Sequence, residues 1–185
     1  MSATRALLAA IDRLPEAQRG EVRAGVPADL LAQLDAALSV AWFPARLHHV
    51  VADRTLVVLG DEADRALWRD VFLALVRGPL LRAMADTALR LFGTTPRALA
   101  RWAPRSWGLV TRGLGTIIDA TEDDPQRATL AMEGYPPELA AAGSYVTGLA
   151  GTFEGFFTLT HTEGNVQVTR ADTPRGAATF ELTWR

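Results

Sequence analysis

The sequence predicts an α+β protein, with N-terminal helices packed on a C-terminal antiparallel sheet of β-β-α-β-β order. Two observations carry this. Residues 1–104 are dense in Ala and Leu at spacings of three and four, punctuated by Pro, which is the pattern of amphipathic helices. Residues 105–185 are richer in Gly, Thr, Val and Phe, and alternate with period two between turn signals, which is the pattern of strands. Charge shifts at the same place, from thirteen Arg against eleven acids before residue 105 to six against ten after it. A length of 185 residues suits a single domain over 1–185, mainly helical over 1–104 and sheet plus one helix over 105–185.

Thr4 caps a first helix whose Leu7, Leu8, Ile11 and Leu14 form one apolar stripe. Pro15 to Gly20 reads as a break or short turn. Pro27 stands at a first helical position with Asp29 in the first turn, and Leu30, Leu31, Leu34 and Leu38 share a face. Pro44 starts another helix with Leu47, Val50 and Val51 inward. The run Leu56–Leu59 suits either a short strand or the start of the next helix. Gly60, Asp61 and Glu62 open a helix carrying Leu67, Trp68, Val71, Phe72 and Leu75 on a wide apolar face. Gly78-Pro79 marks a junction, after which Leu80, Met84, Ala88 and Leu91 continue the period to a C-terminal cap at Gly93. Thr95-Pro96 is a cap and first residue for a short helix to about Trp102, ended by Pro104.

Residues 110–120 read as a strand, Glu122-Asp123-Asp124-Pro125 as a turn, and Ala128, Leu130 and Met132 as the inward face of the returning strand. Residues 138–158 read as helix, with an interruption at Gly143 and Ser144 as its cap. Gly164-Asn165 reads as a turn into a strand of Val166, Val168 and Arg170. Ala178, Phe180, Leu182 and Trp184 form the inward face of the last strand, opposite Ala177, Thr179, Glu181 and Thr183. Within the helix, Gly148, Gly151 and Gly155 lie on one side. Each costs about 1 kcal/mol of helix propensity relative to Ala. The row suits close packing on the sheet or on another helix, or room left for a ligand between helix and sheet.

Composition excludes several chemistries. Cysteine is absent, so there is no disulfide, zinc-thiolate site or cysteine nucleophile. All 19 basic residues are Arg, which removes Schiff-base lysines and the phosphate loop ending in Gly-Lys-Ser/Thr. A formal net charge of −2 argues against generic nucleic-acid binding. No run reaches the roughly 18 apolar residues of a spanning helix. The first residues lack the pattern of an export signal, so a cytoplasmic location is expected.

Few residues invite catalysis. His48 and His49 are neighbours and diverge by about 100° on a helix, so they do not form an i, i+4 metal pair. His161 lies near an element end. The acids at 122–124 lack the ligand spacing of a calcium loop. No serine stands in Gly-x-Ser-x-Gly, and no Ser-His-Asp order is suggested. No catalytic residue, metal ligand or cofactor is therefore expected. The aromatic residues are more informative. Trp102 and Trp107 flank the helix-to-sheet junction, and Tyr145, Leu149, Phe153 and Phe157 supply large surfaces on the late helix. These six either plug the core or wall a small-molecule pocket, and the two tryptophans could also form a dimer face. Arg101, Arg105 and Arg112 along the same stretch either solvate the surface or hold an anion.

The phrases Ala41-Trp42-Phe43-Pro44, Arg77-Gly78-Pro79-Leu80-Leu81, Leu91-Phe92-Gly93-Thr94-Thr95-Pro96, Trp107-Gly108-Leu109-Val110-Thr111-Arg112-Gly113, Tyr145-Val146-Thr147-Gly148 and Ala178–Trp184 resemble an uncharacterised bacterial family frequent in myxobacteria. Its layout is similar to the superfamily joining heme-nitric-oxide-binding domains, vinyl-reductase-type small-molecule-binding domains and TRAPP vesicle-tethering subunits. The resemblance spans about residues 25–185. It implies an antiparallel sheet against helices, often a buried apolar pocket, and frequent dimerisation. The Tyr-x-Ser-x-Arg motif of heme-binding members is missing here, and so are the cysteines common in vinyl-reductase-type domains. No catalytic residue is carried over.

The resulting expectation is a non-catalytic sensory or regulatory homodimer that binds a small apolar ligand between helices and sheet. An interaction or dimerisation adaptor with a filled core, docking a protein partner, is the alternative. An enzyme would need convergent polar groups in a cleft, which the sequence hardly offers.

Overall fold

The computed structural model describes residues 3–36, 44–78, 82, 87, 94–122, 124–140 and 143–185. Leu38, Trp42 and the helical pattern through Leu80, Met84, Ala88 and Leu91 lie outside the described residues. The described helices are α1 (Ala3–Ile11), α2 (Glu16–Ala24), α3 (Ala28–Ala36), α4 (Ala45–Leu59), α5 (Asp61–Arg77), α6 (Pro96–Val110), α7 (Pro137–Ala140) and α8 (Ser144–Thr160). The strands are β1 (Thr116–Asp119), β2 (Arg127–Glu133), β3 (Gly164–Asp172) and β4 (Ala177–Trp184). They form one antiparallel sheet in the order β1-β2-β4-β3. The α+β class and the β-β-α-β-β order are as the sequence predicts.

Several local expectations change. Glu16–Ala24 is helical, because Pro15 stands before its first residue and Gly20 is tolerated inside it. Leu56–Leu59 completes α4, which ends where Gly60 turns to a positive φ of 74°. Pro104 does not end α6. The helix carries it internally and runs on to Val110, which shortens the first strand to four residues. Val50 is exposed rather than inward, while Val51 is buried. Gly164 and Asn165 lie inside β3, not in a turn. Gly143 does interrupt the late helix, in a left-handed conformation, and itself occupies the cap position ahead of Ser144.

The register explains the sheet's buried face. Leu130 opposes Phe180, Met132 opposes Ala178, Ala128 opposes Leu182, and Val166 opposes Leu182 from the other side. The intervening residues, such as Thr129 and Glu181, point to the opposite face. One core cluster unites these residues with Leu99, Ala103 and the α8 side chains Leu149, Phe153, Phe156 and Phe157. A second cluster unites α1, α3, α4 and α5 through Leu7, Ile11, Leu34, Val51, Leu67, Trp68 and Val71.

Helix α8 joins the two clusters. A Cβ on Gly148 would stand 3.0 Å from the Trp68 ring, one on Gly151 2.3 Å from the Arg65 carbonyl oxygen, and one on Gly155 2.3 Å from Phe72 Cδ1. The glycine row thus lets α8 lie directly on α5. The seam is reinforced by Arg65, whose Nε stands 3.2 Å from Glu154 Oε1 and whose Nη2 donates to the Val166 carbonyl at 2.7 Å.

Two titratable groups sit inside the helical half. His48 Nδ1 lies 3.1 Å from the Thr4 hydroxyl, and its ring packs edge-on to Trp68 at 5.4 Å. Burial, aided by neighbouring His49, lowers its pKa from 6.5 to about 4. Asp64 is 0% exposed. Burial raises its pKa from 3.8 to about 6. The nearby Thr55 hydroxyl and Trp68 N–H draw it back in part, without closing well-formed hydrogen bonds, and the charges of Asp61 and Asp53 push it further up.

Two predictions follow from this packing. Gly151→Ala should destabilise by about 1–3 kcal/mol, because the new methyl meets backbone. Gly20→Ala, with nothing within 4 Å of its new methyl, should stabilise by up to about 1 kcal/mol. Urea unfolding of the two variants checks the opposite signs. The second concerns pH. Neutral His48 favours the fold, a contribution present above pH 6.5 and lost as pH falls towards about 4. Protonated Asp64 favours the fold, a contribution present below pH 3.8 and lost as pH rises through about 6. The slopes oppose and largely offset. His48→Gln should therefore leave stability falling between pH 4 and 6, and Asp64→Asn should leave it rising, each by on the order of 2 kcal/mol. Urea midpoints across that range would read both slopes.

Candidate functional site

Five of the six aromatic and apolar candidates meet in the sheet-side core. Leu149, Phe153 and Phe157 are buried members of it, and Trp107 and Tyr145 pack against it half-buried. Trp102 is half-buried on α6 and does not belong to that group. The α8 positions follow from helical spacing: residues 149, 153 and 157 are successive fours on one face, opposite the glycine row. Phe153 meets Phe180 edge-on at 5.1 Å, and Phe157 lies 6.5 Å from Trp184.

The polar ends of this cluster are anchored. Tyr145 donates its hydroxyl proton to the Leu114 carbonyl at 2.6 Å, and Trp107 Nε1 donates to the Gly115 carbonyl at 3.1 Å. The two bonds clamp the approach to β1 between α6 and α8. Tyr135, which the sequence did not single out, stacks at 5.0 Å on Tyr145 and donates to the Ala177 carbonyl at 3.3 Å. Burial raises the pKa of both phenols, and each also feels a neighbour, Asp172 for Tyr135 and Tyr135 for Tyr145. They act here as neutral hydrogen-bond donors. At the far side of α6, Arg97 Nη1 stands 3.0 Å from Asp119 Oδ1. Burial works against the Asp119 charge, but the hydrogen bonds from Thr121 and Arg97 outweigh it and hold its pKa below the usual value.

A second polar group escaped the sequence. The fold brings Ser144 to His49 and Asp53: Ser144 Oγ donates to Asp53 Oδ1 and lies 3.3 Å from His49 Nδ1, while His49 Nε2 stands 3.2 Å from Asp53 Oδ2. The i, i+4 spacing of His49 and Asp53 signals their pairing, but nothing local points to a serine some 90 residues away. The set superficially matches a nucleophile, base and carboxylate. Its geometry is that of a closed ring instead. The carboxylate takes the serine proton directly, and Ser144 is 0% exposed, so no substrate reaches it. The ring ties the N-terminus of α8 to α4.

Among the described residues no group of three His, Asp or Glu could hold a metal ion. Arg101, Arg105 and Arg112 are exposed. Asp124 Oδ1 accepts from the Gln126 amide in the 122–126 turn. One described cleft, about 400 Å³, lies over the sheet between Glu133, Arg170, Asp172 and Arg175. Another, about 470 Å³, opens beside Arg69, Glu154, His161 and Glu163, with Phe157 on its wall. Both are lined with charge. No described helix is long and apolar enough to cross a membrane.

No family model and no curated protein matches the chain. Solved structures do. An H-NOX protein from S. oneidensis in its Fe(II)NO ligation state is 9% identical, with a TM-score of 0.66 over 100% of this chain and 99% of that one. Fe(II) unliganded H-NOX from K. algicida is 10% identical, with a TM-score of 0.63 over 100% and 97%. An oxygen-binding H-NOX domain related to soluble guanylate cyclases is 10% identical, with a TM-score of 0.57 over 100% and 94%. This chain therefore has the fold of the H-NOX domains, the heme-nitric-oxide-binding-like fold that its sequence phrases imply.

Proposed function

We propose that this chain is a non-catalytic sensory or regulatory domain that takes a small apolar ligand between its helices and its sheet. The observation that carries this reading is the convergence of Trp107, Tyr145, Leu149, Phe153 and Phe157 on one aromatic core, in a fold whose solved examples include complexes with oxygen and with nitric oxide. Trp102 would lie at the outer edge of such a site. The walls are apolar, and their few polar atoms are spent on backbone carbonyls, so recognition would rest on shape and burial. The walls are also tightly packed, which favours a ligand of few atoms. Its arrival would press on the two hydrogen bonds that clamp residues 114 and 115 between α6 and α8. Just ahead of Trp107, α6 has a weakened rung at Pro104, which has no N–H to offer the preceding turn and leaves the end of the helix less firmly tied to its start. Strain at the ligand would thus reach the end of α6.

A second reading is favoured by exposed apolar side chains. Val57 on α4 is 71% exposed and Leu109 on α6 58%, with Val110 beside it. In a protein whose core is filled, these would serve a dimer or a partner protein, and the domain would be an adaptor.

Native mass spectrometry of the purified protein, set against the denatured sample, separates the two. A bound mass released on denaturation, and lost in Leu149→Trp, is the outcome expected of the ligand reading. Bare chains that dimerise, with Leu109→Asp shifting the dimer to monomer, would move the weight to the adaptor.

A further inference from the structure

We infer that this chain keeps the H-NOX fold without carrying heme. Heme loading is a separate matter from the apolar ligand proposed above, and either can fail alone. A heme site makes three demands: an axial ligand for iron, a flat slot between packed elements, and donors for two propionate carboxylates. The described residues do not bring the three together.

The axial ligands of heme iron are His, Cys, Met or Tyr. Cysteine is absent. His48 is held by Thr4 and Trp68. A ligating histidine binds metal through one ring nitrogen and donates from the other, but His49 has both committed, one towards Ser144 and one towards Asp53. His161 alone faces open space, from the left-handed residue that ends α8. The cleft it faces sets Glu154 and Glu163 beside Arg69, so two carboxylates compete with propionates for the one arginine, and its charged, open lining suits no porphyrin face. Tyr135 and Tyr145 donate to carbonyls, and burial disfavours the phenolate that would bind iron. Met132 is buried in the sheet. Met84 lies outside the described residues.

Among the described residues the slot is closed as well. The helical half meets α8 through Gly151 and Gly155 at distances too short for a methyl group without displacement, and through Gly148 at a distance that leaves little room for one. The other face of α8 meets the sheet through Phe153 on Phe180. A plate inserted on either side would have to part these contacts. Two half-buried arginines next to the sheet are taken too, Arg65 by Glu154 and the Val166 carbonyl, and Arg97 by Asp119; half-buried Arg69 stands away from this seam, on the wall of the charged cleft beside His161.

The test is a hemin titration of the full chain, followed by gel filtration and a pyridine hemochrome assay, with a second preparation expressed under heme-precursor feeding. The expected result is a folded, colourless protein in both preparations. Any hemin picked up in vitro should be far below one per chain, should leave with an apomyoglobin competitor, and should keep the same Soret band in His161→Ala and Met84→Leu. One heme per chain that survives gel filtration and competitor would overturn the inference. So would a Soret band that moves in either variant. The thermal midpoint with and without hemin gives an independent readout: no shift is expected, and a rise saturating at one equivalent would overturn it.

Discussion

Helix α8 must satisfy two neighbours that want different distances, and the rest of the molecule is arranged around that requirement. On one side it presents Gly148, Gly151 and Gly155 to α5; on the other it presents Leu149, Phe153 and Phe157 towards the sheet. Close approach on the glycine side brings the rings of Trp68 and Phe72 against bare helix backbone. The propensity lost, about 1 kcal/mol per glycine, is offset by the contacts of two large aromatic rings that would otherwise face a gap. The phenylalanine side works by volume. The sheet's inward residues include Ala128 and Ala178 as well as Leu and Phe, so the rings from α8 settle between them.

The polar groups serve the same joint. Ser144, His49 and Asp53 fix where α8 begins, relative to α4. Arg65 fixes its middle by reaching from α5 both to Glu154 and to a strand carbonyl. At its N-terminal turn Tyr145 holds the chain leading into β1. Each of these groups is spent on locating a helix. That is the physical reason a serine, a histidine and an aspartate in hydrogen-bonding contact do not make a nucleophile here: a catalytic serine needs an open side, and this one faces only the groups that fix it. Asp64 is the exception: among the described residues no cation is paired with it, and burial raises its pKa to about 6, so that it holds its proton only in mildly acidic solution.

Much of this was legible in the sequence where a period was strong. The alternation in residues 128–132 and 178–184 named the buried face of the sheet without error, since a slip by one residue would have turned Phe180 and Leu182 outward. The glycine row was visible as a packing device, but its partner was not: spacing along one helix carries no information about which other helix comes to meet it. Proline misled twice in opposite ways. Pro15 suggests the start of a break and in fact stands ahead of a helix. Pro104 suggests a stop, yet sits inside one, because burial of Leu99, Ala100 and Ala103 on one side and the Trp107 hydrogen bond on the other outweigh one missing rung. The six aromatic and apolar candidates were found by size, which selects core residues and ligand walls alike. The His49–Asp53–Ser144 ring was hidden because its members are joined by topology rather than by spacing.

The fold of proteins solved with an iron centre also offers a mechanical device that needs no iron. Two cores joined along one helix form a lever: any change in volume on the phenylalanine side is transmitted to α5 through contacts that cannot compress, since backbone already touches backbone at Gly151. A joint of this kind responds to small displacements in discrete steps. A ligand of the kind proposed would need only to occupy volume near Leu149 and Phe153. Leu109 and Val110 lie past Pro104, at the end of α6 least bound to the core, where a shift in the joint is freest to alter what a partner would meet.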